Sequence, residues 1–150
     1  MTRAGSVRGV GMDMTEVARI RKIYGKHPAF LKRFFSPEEA RRCLAGRNRC
    51  GRIAARFAAK EAVIKALAMP GLRLKDIAVS NTAGGRPRVS LARAGIKNTG
   101  IMLSLTCTAD YACAVAVAVN TGKRPKTKGR KKQALKRPGT VPFTGERSER

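Results

Sequence analysis

Two carboxylates in this 150-residue chain lack an easy local explanation. Seven acids lie in residues 1–120, and Glu16, Glu38 and Glu39 fall where helices are expected to begin, where negative charge complements the backbone dipole. Asp13 instead follows a strand-like stretch at residues 7–14, with glycines at 9 and 11 that would let a ligand approach the backbone. Glu61 sits in an alanine-rich helix where little else is charged. Two carboxylates with open positions suit Mg²⁺, which takes few protein oxygens and completes its shell with water and substrate phosphate. Arg56, Lys60 and Lys65 lie close by in sequence and are candidates for phosphate oxygens; positioning and charge neutralisation are most of what phosphoryl transfer asks of a protein. Spacing alone also allows two local readings. Asp13 and Glu16, three apart, fit a capping box, and Glu61 with Lys65 fits an ion pair across one helical turn.

The elements that must hold these residues follow from pattern. Residues 15–24 read as a helix, and 30–35 as an apolar, basic stretch. Ser36-Pro37-Glu38-Glu39 is the best helix start in the chain, with a Ser cap, Pro at the first position and acids in the first turn. Residues 52–67 form the strongest helix, with alanine at six of sixteen positions and Pro70-Gly71 expected to stop it. Ala55, Ala59, Ala62, Val63 and Ala66 share one arc; Phe57, Ala58, Glu61, Ile64 and Lys65 lie opposite. A helix apolar over most of its circumference is expected to be central and largely buried. Residues 77–80 and 87–91 read as a hairpin, and 102–119 as two strands joined by a turn near 106–110. Helices and hairpins without regular βαβ alternation give an α+β class.

Composition bounds the rest. A hydrophobic share of 43% supports a real core. Lys and Arg number 33 against 9 acids, a formal net charge of +24, so the partners are expected to be anionic. Residues 121–150 carry +9 of this in a Lys/Arg/Pro/Gly run with little to bury, and are expected to be a disordered tail beyond a folded unit of about 1–120. Cys43, Cys50, Cys107 and Cys113 include no C-x-x-C pair and read as reduced thiols. No run approaches the ~18 apolar residues of a membrane span, and residues 1–10 lack the apolar core of a signal peptide, so a cytoplasmic protein is expected.

Two stretches then carry a resemblance. Residues 9–20 (GVGMDMTEVARI) and 56–67 (RFAAKEAVIKAL) resemble the paired signature motifs of the holo-[acyl-carrier-protein] synthases, a 4′-phosphopantetheinyl transferase family. Residues 30–39, Asp76-Ile-Ala-Val with Gly85-Arg-Pro-Arg-Val, and 103–114 are similar to its further segments in the same order. The resemblance implies the family's fold, a small antiparallel sheet packed against a central long helix. It also implies transfer of 4′-phosphopantetheine from coenzyme A to a serine of apo acyl carrier protein, releasing adenosine 3′,5′-bisphosphate. Position by position, it makes Asp13 and Glu61 the Mg²⁺ ligands and has the serine activated by Glu61 or by a metal-bound water acting as base. It has Lys65 neutralise phosphate charge, Arg56 and Lys60 help hold coenzyme A, and Arg19 contact the acidic helix of the carrier. It further implies a homotrimer. The chain departs from the family at 68–71 (AMPG), where a glycine-rich turn is usual, and at Thr106-Cys107, where many members have Ser-His. From the basic charge alone, the competing reading is a nucleic-acid-binding protein; beside the enzyme reading, nucleic acid is left only the tail. A catalytically degenerate binder of coenzyme A or carrier protein is the third reading.

Overall fold

The computed structural model describes residues 5–92, 96 and 98–122; the tail beyond residue 122 lies outside the described residues. Strand β1 (Val7–Glu16) leads into helices α1 (Val17–Lys26), α2 (Phe30–Phe34), α3 (Pro37–Leu44) and α4 (Arg49–Leu67). A single 3-10 turn at Leu74–Asp76 precedes β2 (Ile77–Asn81), β3 (Pro87–Leu91), β4 (Thr99–Cys107) and β5 (Tyr111–Asn120). The strands form two antiparallel sheets, one in the order β1-β5-β4 and one from the β2-β3 hairpin. The α+β class and the central helix are as the pattern predicts. No helix among the described residues is long and apolar enough to cross a membrane.

Helix α4 lies across the three-stranded sheet. Strand β5 turns Ala112, Ala114, Ala116 and Ala118 inward at alternate positions, and α4 meets that face with Ala58, Ala59, Ala62 and Ala66, all essentially buried. Small residues on both sides let the backbones come close. The glycines of β1 carry this furthest. A Cβ on Gly9 would stand 2.2 Å from the Ala66 carbonyl oxygen, and one on Gly11 would stand 2.1 Å from that of Ala62. This corrects the sequence expectation that the two glycines admit a ligand: they admit the long helix.

The termini also depart from expectation in ways local chemistry explains. Asp13 does not cap α1, because β1 stays paired with β5 as far as Glu16 opposite Tyr111. Helix α1 therefore starts at Val17 without a side-chain cap. Helix α3 has the expected start, with reciprocal bonds between Ser36 and Glu39. Helix α4 begins earlier than predicted because Asn48 Oδ1 accepts from Gly51 N at 3.1 Å. It ends before Pro70, where Ala68 takes the left-handed conformation at φ 46°.

The close approach predicts opposite outcomes at two glycines. Gly11→Ala is expected to cost about 3 kcal/mol, since helix backbone rather than a flexible side chain must yield. Gly25→Ala, in α1 with open space around it, is expected to stabilise by about 0.5 kcal/mol. Urea unfolding midpoints of the two variants check both signs.

Candidate active site

The site assembles where β1 passes α4. Successive residues of β1 face opposite sides of the sheet, so Asp13 and Thr15 turn toward the helix while Met12 and Met14 turn away. The Asp13 carboxylate accepts from Lys65 Nζ at 2.8 Å and from Thr15 Oγ1 at 3.3 Å. Lys65 Nζ also donates to the Met12 carbonyl at 2.9 Å, which holds the ammonium against the strand. The cross-element pair therefore replaces the expected Glu61–Lys65 bridge: the ion pair made by Lys65 among the described residues is with Asp13.

Glu61 projects from α4 into the same cleft. Asp13, Thr15, Glu61 and Arg19 line it together with the rings of Phe30 and Phe57, around a volume of about 290 Å³. Partial burial and the nearby Asp13 charge push the Glu61 carboxyl above its ordinary range, with Lys65 opposing the shift. The hydrogen bond to Asp13 holds Lys65 protonated more firmly than a free lysine. Glu61, whose ionisation burial and the Asp13 charge oppose, is a ligand whose charge a divalent cation would favour. Among the described residues no group of three or more His, Cys, Asp and Glu side chains is placed to hold a metal ion; Asp13 and Glu61 offer two carboxylates, and Mg²⁺ is a cation that takes few protein oxygens.

The other predicted residues divide. Arg19 joins the cleft. Arg56 does not. Its NH2 group donates to Asn81 Oδ1 at 3.2 Å, toward the hairpin, and its Nε is buried without a hydrogen-bond partner. Lys60, expected to hold coenzyme A, is corrected by the structure. Its side chain is 0% exposed, and Nζ donates to Glu39 Oε2 at 2.9 Å and to the Phe34 carbonyl at 2.7 Å. The ammonium also lies 4.8 Å from the centre of the Phe35 ring. It cannot reach a surface ligand from there. Burial lowers the Lys60 pKa, and the Glu39 hydrogen bond opposes that shift. Cys107 donates toward backbone carbonyls of Thr108 and Gly51, and partial burial raises its thiol pKa, so it offers no ready base in place of a histidine.

Sequence reasoning missed Phe30, Phe57, Thr15 and Glu39. Thr15 could have been found, since it shares Asp13's face at the two-residue strand period. Glu39 was legible only as a helix-start charge; its contacts with β2 and α4 are tertiary.

Comparison with known proteins gives this geometry a context. Residues 9–116 match a family model described as the 4′-phosphopantetheinyl transferase superfamily. A holo-[acyl-carrier-protein] synthase of Anaeromyxobacter dehalogenans is 41% identical over 128 residues, covering 79% of this chain and 99% of that protein. A Helicobacter pylori holo-[acyl-carrier-protein] synthase solved in complex with coenzyme A is 31% identical at a TM-score of 0.66, over 73% of this chain and 98% of that one. A Bacillus anthracis holo-(acyl-carrier-protein) synthase in complex with CoA (3′,5′-ADP) is 28% identical, with a TM-score of 0.66, over 76% and 97%.

The raised Glu61 carboxyl predicts a stability signature. Its proton is held more tightly folded than unfolded, so its ionisation costs stability. That cost is absent below the ordinary glutamate pKa, sets in as pH rises past it, and is complete above the raised folded value. With chelator present, Glu61→Gln is expected to melt above wild type at neutral pH, and the difference is expected to vanish in acid. Added Mg²⁺ should raise the melting point of wild type more than that of the variant. Thermal melts across pH, with and without Mg²⁺, check both.

Proposed function

The chain belongs to the holo-[acyl-carrier-protein] synthase family of 4′-phosphopantetheinyl transferases, enzymes that move the phosphopantetheine arm of coenzyme A to apo acyl carrier protein, and we propose that Asp13, Glu61 and Lys65 form the centre of that transfer here. The observation that carries this is the convergence of the three from β1 and α4, elements brought together only by the tertiary fold.

The serine hydroxyl of the carrier attacks the pantetheine-side phosphorus of the coenzyme's pyrophosphate. An O–P bond forms, the bridging P–O bond breaks, and adenosine 3′,5′-bisphosphate leaves. Glu61, whose carboxylate enters the cleft beside Asp13, accepts the serine proton. Lys65 Nζ, anchored by the Met12 carbonyl and half exposed, donates to the phosphate oxygens on which charge develops. Asp13 and Glu61 are the residues that would hold Mg²⁺, whose chemistry when bound is Lewis-acid polarisation of the pyrophosphate. Arg56, away from the carboxylates, contacts a more distant part of coenzyme A. Arg19, on the cleft rim, meets the acidic face of the carrier. We take the catalytic unit to close near residue 120, where β5 ends.

The outer face of the larger sheet supports self-association, and the family resemblance puts the copies at three. Val10, Met12, Met14, Met102 and Val115 are each 36% exposed or more on that face. Since Asp13 lies between Met12 and Met14, an interface there abuts the active site.

Intact-mass spectrometry of an apo acyl carrier protein incubated with coenzyme A and Mg²⁺ is the primary test. The carrier is expected to gain one phosphopantetheine, and to lose that gain with chelator. Asp13→Ala and Glu61→Ala should each reduce the rate by at least ~100-fold while staying folded; near-normal rates would remove them from the centre. In the same assay Arg19→Glu should raise the KM for the carrier and leave that for coenzyme A unchanged. Light scattering is expected to give a trimer mass for wild type and a smaller species for Val115→Glu.

A further inference from the structure

The buried Lys60–Glu39 pair ties three elements to the residue beside it in sequence, Glu61. The Glu39 carboxylate, 6% exposed, accepts from Ser36 N at 2.9 Å, from Val79 N of β2 at 2.8 Å and from Lys60 Nζ at 2.9 Å. Lys60 completes its set with the Phe34 carbonyl at the end of α2 and the Phe35 ring. One contact thus fixes α3, β2 and the end of α2 against a single point on α4. Its position matters for the cleft. The next residue on α4 is Glu61. The Phe34 ring packs at 5.1 Å from that of Phe30 and 6.0 Å from that of Phe57, the two rings that wall the cleft.

We propose that Lys60, held by Glu39, is a positioning residue of this enzyme: it sets the rotation of α4 that aims Glu61 and holds the aromatic wall facing it. It touches neither coenzyme nor carrier. A pair kept only for stability would be easy to replace, since buried ion pairs exchanged together for apolar groups are often neutral or stabilising. A pair that sets geometry would leave the fold standing and the chemistry impaired.

The experiment uses the full chain. Lys60→Met alone would leave Glu39 charged and unpaired, so the informative variant is the double change Glu39→Gln with Lys60→Met. It is expected to melt below wild type yet stay folded, since a Gln amide cannot accept from both Ser36 N and Val79 N and the Phe34 carbonyl loses its donor. Its kcat is expected to fall about 30-fold, as a displacement of about an ångström can do, with the KM for coenzyme A unchanged. Direct Mn²⁺ binding, followed by electron paramagnetic resonance, should weaken in parallel. Wild-type kcat and Mn²⁺ affinity would overturn the proposal, as would a raised KM for coenzyme A at unchanged kcat. Glu39→Asp keeps both charges and shortens one arm by a methylene. It decides the matter where the double variant does not fold, wild-type kcat and Mn²⁺ affinity again counting against. The proposal rests on the assignment of Glu61, so Glu61→Ala is measured alongside. If that variant keeps activity and Mn²⁺ binding, the assignment itself has failed; if only the Lys60 variants are silent, the positioning role alone has failed.

Discussion

The contact on which the rest depends is the near-touching of β1 and α4 at Gly9 and Gly11. The helix carbonyls of Ala62 and Ala66 stand where glycine Cβ atoms would be. Any larger residue would push strand and helix apart, and interiors packed at crystal density do not yield smoothly. The site needs this spacing because its parts sit on opposite sides of it. Lys65 reaches both the Met12 carbonyl and the Asp13 carboxylate, at 2.9 and 2.8 Å, only when the backbones are this close. The alanines of β5 and α4 extend the same rule across the sheet. They trade apolar area per residue for proximity, which suits a helix that must deliver charged side chains at one edge while burying the remainder.

Two lysines on α4 show how one helix separates structural from chemical charge. Lys60 and Lys65 both meet carboxylates at under 3 Å, yet the first is 0% exposed and the second 52%. Around Lys60 every polar atom is answered: Glu39 receives three donors, and the ammonium has two acceptors and a ring face. That is what a buried charge requires, because an unpaired one would cost several kcal/mol. Around Lys65 the enclosure is partial: the lysine side chain is half exposed, while the Asp13 carboxylate it pairs with is mostly buried.

Much of this was legible in residue types, less in their partners. Ser36 through Glu39 was read correctly because a capping box is a local object, closed within four residues. The alanine pattern of α4 announced a central helix. What it could not announce was which strand would lie against it, so the glycines of β1 were read as making room for a ligand. Lys60 stands two turns from Ile53 and one from Val63, both fully buried, so the helical period already aims it inward despite its basic type. The Glu61–Lys65 reading failed for the complementary reason: correct helical spacing was overridden by a strand residue 52 positions away in sequence.

Charge on the whole molecule completes the electrostatic logic of the cleft. A glutamate carboxyl raised by burial and by a neighbouring aspartate sits in a chain of net +24. The two scales act on different things. Beyond a Debye length of about 8 Å at physiological salt, the net charge is screened from any single group, so it acts on the encounter with anionic partners. Within the cleft, burial and the nearest charges decide. Burial raises the Glu61 carboxyl most, the Asp13 charge adds to the rise, and Lys65 opposes it. A cleft of this kind sets acidic oxygens inside a strongly basic molecule, so the field that draws an anion in differs from the one it meets at the centre. The strong basic character of the chain and the carboxylates of its cleft are therefore two parts of one arrangement.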